Sequence, residues 1–253
     1  MLLFGFSGIT HMGRQNHSFL FKQFAIKQDQ CAMKVGTDGI LLGAWVNVPE
    51  NAQILDIGTG TGILALMLAQ RSQKSTTTQI DAVEIDDAAY RQAQDNMQNS
   101  PWGDRIKIYH ARIQGFAVTC HQQYDLIISN PPFFEKAYKA LATSRTLARH
   151  SDSLLQTDIL HIASRLLKQS GHLAVIYPTD LAHKFLHQAQ AFDLWCDRQV
   201  NIKPRLDSPI KRIALELSKT KFPLQETTLT IEKSKHIYTE DYISLVKDFY
   251  LNL

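Results

Sequence analysis

The stretch ILDIGTGTGILALMLAQ, residues 54–70, decides the fold of this 253-residue chain. It begins with an apolar run of strand length and ends with an apolar run of helical length. Between the two stands a turn with three alternating glycines, Gly58, Gly60 and Gly62. Because glycine has no Cβ, such a turn can bend sharply and lets a ligand approach the main chain closely. The stretch therefore predicts a strand, a ligand-binding turn and a helix in direct succession.

The spacing of the glycine turn discriminates between two cofactor classes. A dinucleotide fold uses GxGxxG, with an acid about 20 residues later for the ribose. Here the spacing is GxGxG, and Asp56 precedes the first glycine by two residues, where its charge would repel a pyrophosphate. That charge suits a cationic ligand such as S-adenosylmethionine (AdoMet). Glu84, at the end of the next predicted strand, can bind a ribose in either class. AdoMet is favoured over NAD and over a tight turn with no ligand.

Strands and helices alternate along the rest of the chain, which predicts an α/β fold with a mostly parallel sheet flanked by helices. Residues 154–170 show helical spacing, and Gly171 stands where a C-terminal cap belongs. Further strands are predicted at residues 78–86, 104–111, 123–129, 171–178, 192–202 and 211–219, and a further helix at 87–100.

The last two of these strands have no long helix between them, which predicts an antiparallel hairpin at one edge of the sheet. The tail, residues 224–253, predicts one more strand and a closing amphipathic helix, and residues 40–48 predict a short buried helix. Because no repeat or low-complexity linker interrupts the chain, we expect a single domain over residues 1–253. Its N-terminal segment, about residues 1–50, is expected to cover the cofactor cleft.

Composition excludes several classes of protein. The chain is 44% hydrophobic and 20% charged, and it has no apolar stretch of bilayer-spanning length and no signal-peptide pattern, so a soluble, cytoplasmic protein is expected. Cys31, Cys120 and Cys196 have no CxxC spacing, and the histidines lack metal-ligand spacing, which argues against disulfides and a metal site. The net charge of +3 permits a nucleic-acid partner.

The motif YDLIISNPPFF, residues 124–134, ends a strand with an amide, two prolines and two aromatics. Asn130 falls at the carboxyl end of that strand, where ligands bind in open α/β sheets. A planar amino nitrogen is a poor nucleophile because its lone pair is delocalised. The Asn130 side-chain oxygen and the Pro131 carbonyl can each accept one of its N–H groups and favour a pyramidal nitrogen. Pro131 and Pro132 stiffen that corner, and Phe133 can stack on a planar target. A turn that merely ends the strand is the alternative.

The motifs DIGTGTG, VEID and NPPF, in this order, resemble the AdoMet-dependent amino-methyltransferases of class I (Rossmann-like) fold, which modify adenine N6, guanine N2 or a glutamine amide. FKQFAIKQDQCAMKVGTDGILLGAWV and the terminal YTEDYISLVKDFYL resemble the bacterial tRNA1(Val) adenine-37 N6-methyltransferase family. The likeness runs from about Phe19 onward. It implies AdoMet as cofactor, tRNA as partner, and neither a membrane nor an obligate protein partner.

The resemblance also implies roles for individual residues. Asp56, Gly58 and Gly60 would hold the methionine end of AdoMet, Glu84 its ribose, and the stretch from Asn130 to Phe133 the target adenine. Many class I enzymes carry an acid after the third strand, where this chain has Ala111 and Arg112, so a backbone group near Ile113 is expected to contact the cofactor adenine. Lys34 and Thr37 would lie near the cofactor carboxylate, unless Thr37 or Asp38 caps the following helix. The remaining cofactor contacts are expected at Thr59, Gly62, Ile85, Arg112 and Asn130.

Two clusters of basic residues follow this site in the sequence. Lys136, Lys139, Arg145 and Arg149 would attract RNA phosphates, and Lys203, Arg205, Lys211 and Arg212 form a second cluster; solvated surface is the alternative for both. The motifs leave other substrates open, namely a protein glutamine N5 or an rRNA guanine N2. A noncatalytic RNA-binding protein on a methyltransferase scaffold is a further alternative.

Overall fold

The computed structural model describes residues 18–75, 77–132 and 154–252 and shows an α/β fold. The strands are β1 (Ser18–Leu20), β2 (Ala25–Lys27), β3 (Gln53–Ile57), β4 (Gln79–Glu84), β5 (Ile106–His110), β6 (Tyr124–Ser129), β7 (Leu167–Pro178), β8 (Trp195–Arg205), β9 (Arg212–Ser218), β10 (Gln225–Ser234) and β11 (Ile237–Tyr238). The helices are α1 (Thr37–Trp45), α2 (Ile63–Arg71), α3 (Asp87–Gln98), α4 (Ile113–Thr119), α5 (Gln156–Leu166), α6 (Thr179–Ala189) and α7 (Glu240–Val246).

Nine of these strands form one sheet in the order β11-β10-β8-β9-β7-β6-β3-β4-β5. Neighbours pair in parallel except β7 with β9, β8 with β9, and β10 with β11. The predicted mostly parallel sheet and the antiparallel hairpin, β8–β9, are confirmed, but the hairpin does not lie at the edge of the sheet as predicted. The sheet continues beyond this hairpin because β10 adds in parallel beside β8. Strands β3, β4, β6, β7, β8 and β10 therefore all end at one edge, here called the carboxyl edge.

Helices cover both faces of the sheet, and side chains alternate between two cores. Ile54 of β3 joins the core under α1, α2, α3 and α7, whereas Leu55 joins the core under α4, α5 and α6. Ile128 and Ile127 of β6 divide in the same way. Strands that are buried on both faces read as continuous apolar runs, which is why the sequence pattern locates them well.

The helix predicted over residues 154–170 is shorter than expected. It ends at Leu166, and β7 begins at the next residue, so the prediction that Gly171 caps the helix is wrong. Tertiary contacts outweigh the helical spacing here, since Leu167 is buried and pairs with Tyr124, and Lys168 binds Asp125 across 2.7 Å. Gly171 is needed inside the strand because a Cβ there would lie 2.7 Å from the Tyr124 carbonyl oxygen.

The N-terminal part of the described chain contains an element that the sequence did not predict. Strands β1 and β2 form a short hairpin, and Phe21 and Phe24 at its turn stack with ring centroids 4.6 Å apart and pack into the core. The next element, α1, confirms the predicted buried helix, and the predicted tail strand and closing helix are confirmed as β10 and α7. All three cysteines are free thiols. Within the described ranges, none of the helices combines the length and hydropathy that a membrane crossing requires.

Candidate active site

A cavity of about 320 Å³ opens at the carboxyl edge, between the ends of β3, β4 and β6. The chain segment before α1, from Cys31 to Gly36, closes one side of it. Nine of the predicted site residues line this cavity: Lys34, Gly58, Thr59, Gly60, Glu84, Ile85, Ile113, Asn130 and Pro132. The fold thus brings the glycine turn and the NPP corner to a single cleft.

The glycine turn presents its main chain to the cavity. Gly58, Gly60 and Gly62 have φ angles of 68°, 58° and 84°, in the left-handed region that favours glycine. A Cβ added at Gly58 or Gly60 would meet no atom within 4 Å, so the space beside the backbone there is open to a ligand. Gly62 begins α2 instead, and its added Cβ would lie 3.0 Å from Met97 Cε. Gly62 therefore supports packing of the turn rather than lining the cavity.

Glu84 is held at the end of β4 by three backbone amides. Its Oε2 accepts a hydrogen bond from Gly60 N at 2.8 Å, and its Oε1 accepts from Ile85 N and Asp86 N at 2.8 and 2.9 Å. Glu84 is 7% exposed, so this carboxylate sits at the base of the cleft with a fixed orientation. Asp86 caps α3 by accepting from Ala89 N. The acid that the sequence singles out for a ribose is thus tied directly to the glycine turn.

Asp56 lies outside the cavity walls. It is fully buried on the core face of β3, and its Oδ2 accepts a hydrogen bond from Thr59 Oγ1 at 2.6 Å. Its Oδ1 forms no hydrogen bond with the residues that the structure describes. Burial raises the pKa of this carboxyl to about 7, against the opposing effect of the Thr59 hydrogen bond. Asp56 therefore supports the turn from beneath, through Thr59, which does line the cavity.

Asn130 stands at the corner that follows β6. Its Oδ1 is buried and has no hydrogen-bond partner in the described part of the chain, which leaves an acceptor for a ligand. Just before it, Ser129 is fully buried and donates from Oγ to the Ile57 carbonyl oxygen at 2.8 Å, which ties the end of β6 to the end of β3. Gly39 of α1 packs beside the asparagine, since a Cβ there would lie 3.5 Å from Asn130 Nδ2. Pro131 is buried and Pro132 is exposed at the cavity.

The segment before α1 contributes more to the cavity than the sequence indicated. Residues 31–33 and Val35 line it beside Lys34, and burial raises the pKa of the Cys31 thiol to about 12. These residues fall within the N-terminal segment that was expected to cover the cleft, but only Lys34 was singled out among them. Thr37 is the first residue of α1 and does not line the cavity. Gly36, rather than Thr37 or Asp38, occupies the N-cap position.

The far end of the cavity, where a cofactor adenine was expected, is lined by Ala111, Ile113 and Gln114. Arg112 is exposed and is not part of the lining. Gln114, which the sequence did not single out, is a polar side chain at this end, and its amide donates to Asp158 at 2.9 Å. The sequence signal that could have identified Gln114 is its position directly after Ile113, which was expected to lie near the cofactor adenine.

The remaining predicted residues divide into two groups. Phe133, Lys136, Lys139, Arg145 and Arg149 lie outside the described residues. In the second basic cluster, Arg212 is paired with Asp38 at 2.7 Å and Lys203 Nζ donates to the Leu206 carbonyl at 2.7 Å, whereas Arg205 and Lys211 are exposed. No group of histidine, cysteine and acidic residues in the described ranges is arranged to hold a metal ion.

The cavity fits AdoMet in chemistry. Its volume lies at the lower end of the range for small-molecule sites, about 300–1,000 Å³, and its lining is mainly apolar, as an adenosine requires. The open main chain at Gly58 and Gly60 suits the methionine end, and Glu84 suits ribose hydroxyls. A second hollow, of about 870 Å³, lies beside the C-terminal end of α2 and contains none of the predicted site residues.

Comparisons with known proteins agree with this geometry. A family model described as "Methyltransferase small domain" matches residues 33–193. The chain is 54% identical to the tRNA1(Val) (adenine(37)-N6)-methyltransferase of Trichodesmium erythraeum, over 93% of this chain and 98% of that protein. It is 46% identical to the protein of the same name from Flavobacterium psychrophilum, over 93% and 100%.

Solved structures show the same fold at low sequence identity. A predicted O-methyltransferase from Agrobacterium tumefaciens superposes with a TM-score of 0.65 at 18% identity, covering 84% of this chain and 96% of that one. The methyltransferase subunit of a Streptococcus thermophilus type I restriction-modification system gives a TM-score of 0.59 at 17% identity, covering 87% and 52%. The class I methyltransferase fold is therefore shared well beyond the sequence relatives.

Proposed function

The chain belongs to the tRNA1(Val) (adenine(37)-N6)-methyltransferase family, and we propose that it transfers the methyl group of AdoMet to the exocyclic N6 of adenine 37 in the anticodon loop of a valine tRNA. One observation carries the chemistry. Asn130 places a buried, unpartnered carbonyl oxygen at the cavity that contains the glycine turn, among the residues that the structure describes. The donor and acceptor sites thus share one cleft.

When bound, AdoMet supplies the electrophilic methyl group. Asn130 Oδ1 and the Pro131 carbonyl oxygen would each accept one N–H of the adenine amino group, which frees the nitrogen lone pair to point at that methyl. Neither oxygen titrates near neutral pH, so the corner orients the nucleophile rather than deprotonating it, and the methylated nitrogen would release its extra proton to water after the transfer. Orientation of this kind supplies up to roughly 7–11 kcal/mol when the geometry is near attack, and polar preorganisation adds to it.

The other site residues would hold the two substrates in place. Gly58 and Gly60 would bind the methionine end through their backbone, and Glu84 would bind the ribose hydroxyls while its three amide bonds fix its direction. Phe133 would stack on the adenine. We propose that the whole chain acts as one methyltransferase domain, with residues 31–36, in the segment before α1, covering the cofactor. Because the substrate is a tRNA, we propose that the protein acts in the cytoplasm. We also propose that it needs neither a metal nor an obligate protein partner.

Labelled AdoMet and purified protein test the proposal directly. Bulk tRNA from cells that lack the gene should accept label, and digestion with mass spectrometry should place N6-methyladenosine at position 37 of a valine tRNA. Ribosomal RNA, ribosomal proteins and release factors serve as competing substrates in parallel reactions. Label in a guanine N2 or a glutamine amide would replace the proposed substrate with one of those classes. No transfer to any of them, together with no AdoMet binding by calorimetry, would favour a noncatalytic role.

A further inference from the structure

A group of cations stands at the carboxyl edge, beside the cleft, at the ends of two strands and in the turns that follow them. The end of β8 carries Lys203 and Arg205, the turn before β9 carries Lys211, and the end of β10 and the turn after it carry Lys233 and Lys235. Lys203 is half-buried and the other four are exposed. We call these five residues the basic ledge. The two turns are far apart in sequence, and they become neighbours because β10 pairs in parallel with β8, so that both strands end at the same edge.

The register of the sheet places the ledge relative to Asn130. Ser129 of β6 pairs with Val175 of β7, which pairs with Leu215 of β9. Leu215 pairs in turn with Gln199 of β8, and Gln199 pairs with Glu226 of β10. Leu215, Gln199 and Glu226 therefore mark the level of Ser129 on their strands. Lys203 and Lys211 therefore lie four residues beyond that level, and Lys233 lies seven beyond it. At about 3.3 Å per residue, these residues lie roughly 13–23 Å further along their own strands than the level of the acceptor corner.

The lateral distance is also short. Three strand spacings of about 4.8 Å separate β6 from β8, and four separate β6 from β10. The ledge thus lies to one side of the cleft, at the same edge of the sheet.

The charge of the two segments is strongly positive. Residues 203–212 and 232–236 contain six cations and two carboxylates, Asp207 and Glu232, whereas the whole chain carries a formal charge of +3. Two of the cations have carboxylate partners, since Arg212 binds Asp38 and Lys233 lies 3.2 Å from Glu240. Arg205, Lys211 and Lys235 are exposed to solvent.

We propose that the basic ledge binds the phosphate backbone of the RNA substrate next to the methylated nucleotide and so orients the target base toward Asn130. This inference rests on the proposed function and adds a surface to it. Lysine and arginine side chains bind phosphates without reading sequence, which positions a substrate rather than selecting it. An anionic membrane or an acidic protein would also be attracted by the charge, but neither has a reason to meet these turns above an amino-group acceptor site.

Charge reversal with a matched control tests the ledge. The ledge variant is Lys211→Glu with Lys235→Glu; the control is Lys74→Glu with Lys247→Glu, which changes the net charge equally at the opposite edge of the sheet. All four lysines are exposed. Affinity for valine tRNA is measured by fluorescence anisotropy over a salt series, and AdoMet affinity by calorimetry. The ledge variant should bind tRNA about tenfold or more weakly, with a log–log salt slope smaller by about 2, and AdoMet affinity should be unchanged.

The outcomes separate this inference from the proposed function. Equal losses of tRNA affinity in the ledge and control variants, or no loss in either, would overturn the proposed role of the ledge. Methylation of tRNA by the wild type would still support the proposed function. A wild-type protein that neither binds nor methylates tRNA would overturn both. A ledge variant that lost affinity for anionic vesicles instead of tRNA would assign the surface to a membrane. If the reversal variant is poorly folded by circular dichroism, Lys211→Gln with Lys235→Gln should give a loss in the same direction.

Discussion

Arg212 donates from Nε to Asp38 Oδ2 across 2.7 Å, which joins the first residue of β9 to the first turn of α1. At the other end of the same helix, Asn47 N donates to Glu216 Oε1 at 2.7 Å. Four residues of a strand and nine residues of a helix both span about 13 Å, so the two contacts match in length. Helix α1 is thereby fixed across β9 at both ends, and its Gly39 is held beside Asn130.

Removing the ion pair should loosen α1 and reduce turnover. Because both side chains are partly exposed, a double-mutant cycle of Arg212→Ala and Asp38→Ala should give a coupling energy of about 0.5–1 kcal/mol in the free energy of unfolding. The kcat should fall by a larger factor than a free-energy change of this size would give, because Asn130 loses the rigid packing of α1 beside it. Arg91→Ala, which breaks the exposed Asp87–Arg91 pair, is the control and should leave kcat unchanged. Equal kcat values in all variants would show that α1 does not position the site.

Asn130→Ala should separate catalysis from cofactor binding. Loss of one preorganised polar contact typically lowers turnover by about 100- to 1,000-fold. The glycine turn and Glu84 are untouched, so the AdoMet dissociation constant measured by calorimetry should stay nearly the same. Asn99→Ala, on the exposed end of α3, is a control for replacement of an asparagine amide. Weakened AdoMet binding with normal turnover would assign Asn130 to the cofactor instead.

Glu84→Gln should weaken both the cofactor site and the turn. Glutamine has one acceptor oxygen, so it cannot satisfy Gly60 N on one side and Ile85 N and Asp86 N on the other. Hydrogen bonds to charged groups contribute about 1.5–3 kcal/mol each, so the free energy of unfolding should fall by about that amount and the AdoMet dissociation constant should rise at least tenfold. Asp87→Asn, three residues along and exposed, should leave the AdoMet dissociation constant unchanged and lower the unfolding free energy by less than about 1 kcal/mol, through its pair with Arg91 and its place in the first turn of α3. Normal binding by the Glu84 variant would remove this residue from the cofactor site.

Asp56 should make stability depend on pH. Its pKa is raised from 3.8 to about 7 by burial, so between these values the folded state binds the proton more tightly than the unfolded state does. The stabilisation of the folded state that Asp56 contributes through its proton is therefore complete below about pH 4 and decreases as pH rises toward 7. Above pH 7 it no longer changes. Urea unfolding of wild type and Asp56→Asn at pH 5, 6, 7 and 8 measures it. The unfolding free energy of the wild type should fall relative to that of Asp56→Asn as pH rises. A difference between the two proteins that does not change with pH would contradict the raised pKa of the buried carboxyl.

Two glycines should respond to alanine in opposite directions. Gly171→Ala places a Cβ against the Tyr124 carbonyl oxygen in the middle of the sheet, and such overpacking should lower the unfolding free energy by about 1–3 kcal/mol. Gly115→Ala lies in α4, where an added Cβ meets no atom within 4 Å, and should raise it by about 0.5–1 kcal/mol. Thermal or urea unfolding compares the two variants. A stabilised Gly171 variant would show that the strand can shift at no cost.

The sequence predicts the central elements well because their signals are local. The glycine turn between β3 and α2 and the apolar run of β6 each carry their own pattern, and the order of strands and helices follows from them. Asn130 was found for the same reason, since a polar residue that ends a buried strand is conspicuous.

Long-range contacts explain what the sequence did not predict. The parallel addition of β10 beside β8 pairs residues that are 27 positions apart in the sequence. The strand character of Leu167 to Ser170 depends on the pairing of Leu167 with Tyr124. The face of β3 on which the Asp56 side chain lies could not be predicted either, because the alternation of side chains along a strand does not show which face meets the cleft. Lys34 was predicted, but the cavity-lining role of residues 31–33 and Val35 beside it depends on where the loop folds, which their residue types do not mark.

The buried hydroxyl of Ser129 has a consequence for how activity disappears. Because it joins the end of β6 to the Ile57 carbonyl, the glycine turn and the asparagine corner belong to one mechanically continuous unit at the centre of the sheet. Gradual denaturation should therefore abolish cofactor affinity and methyl transfer in the same transition, without a partly unfolded species that retains one and lacks the other.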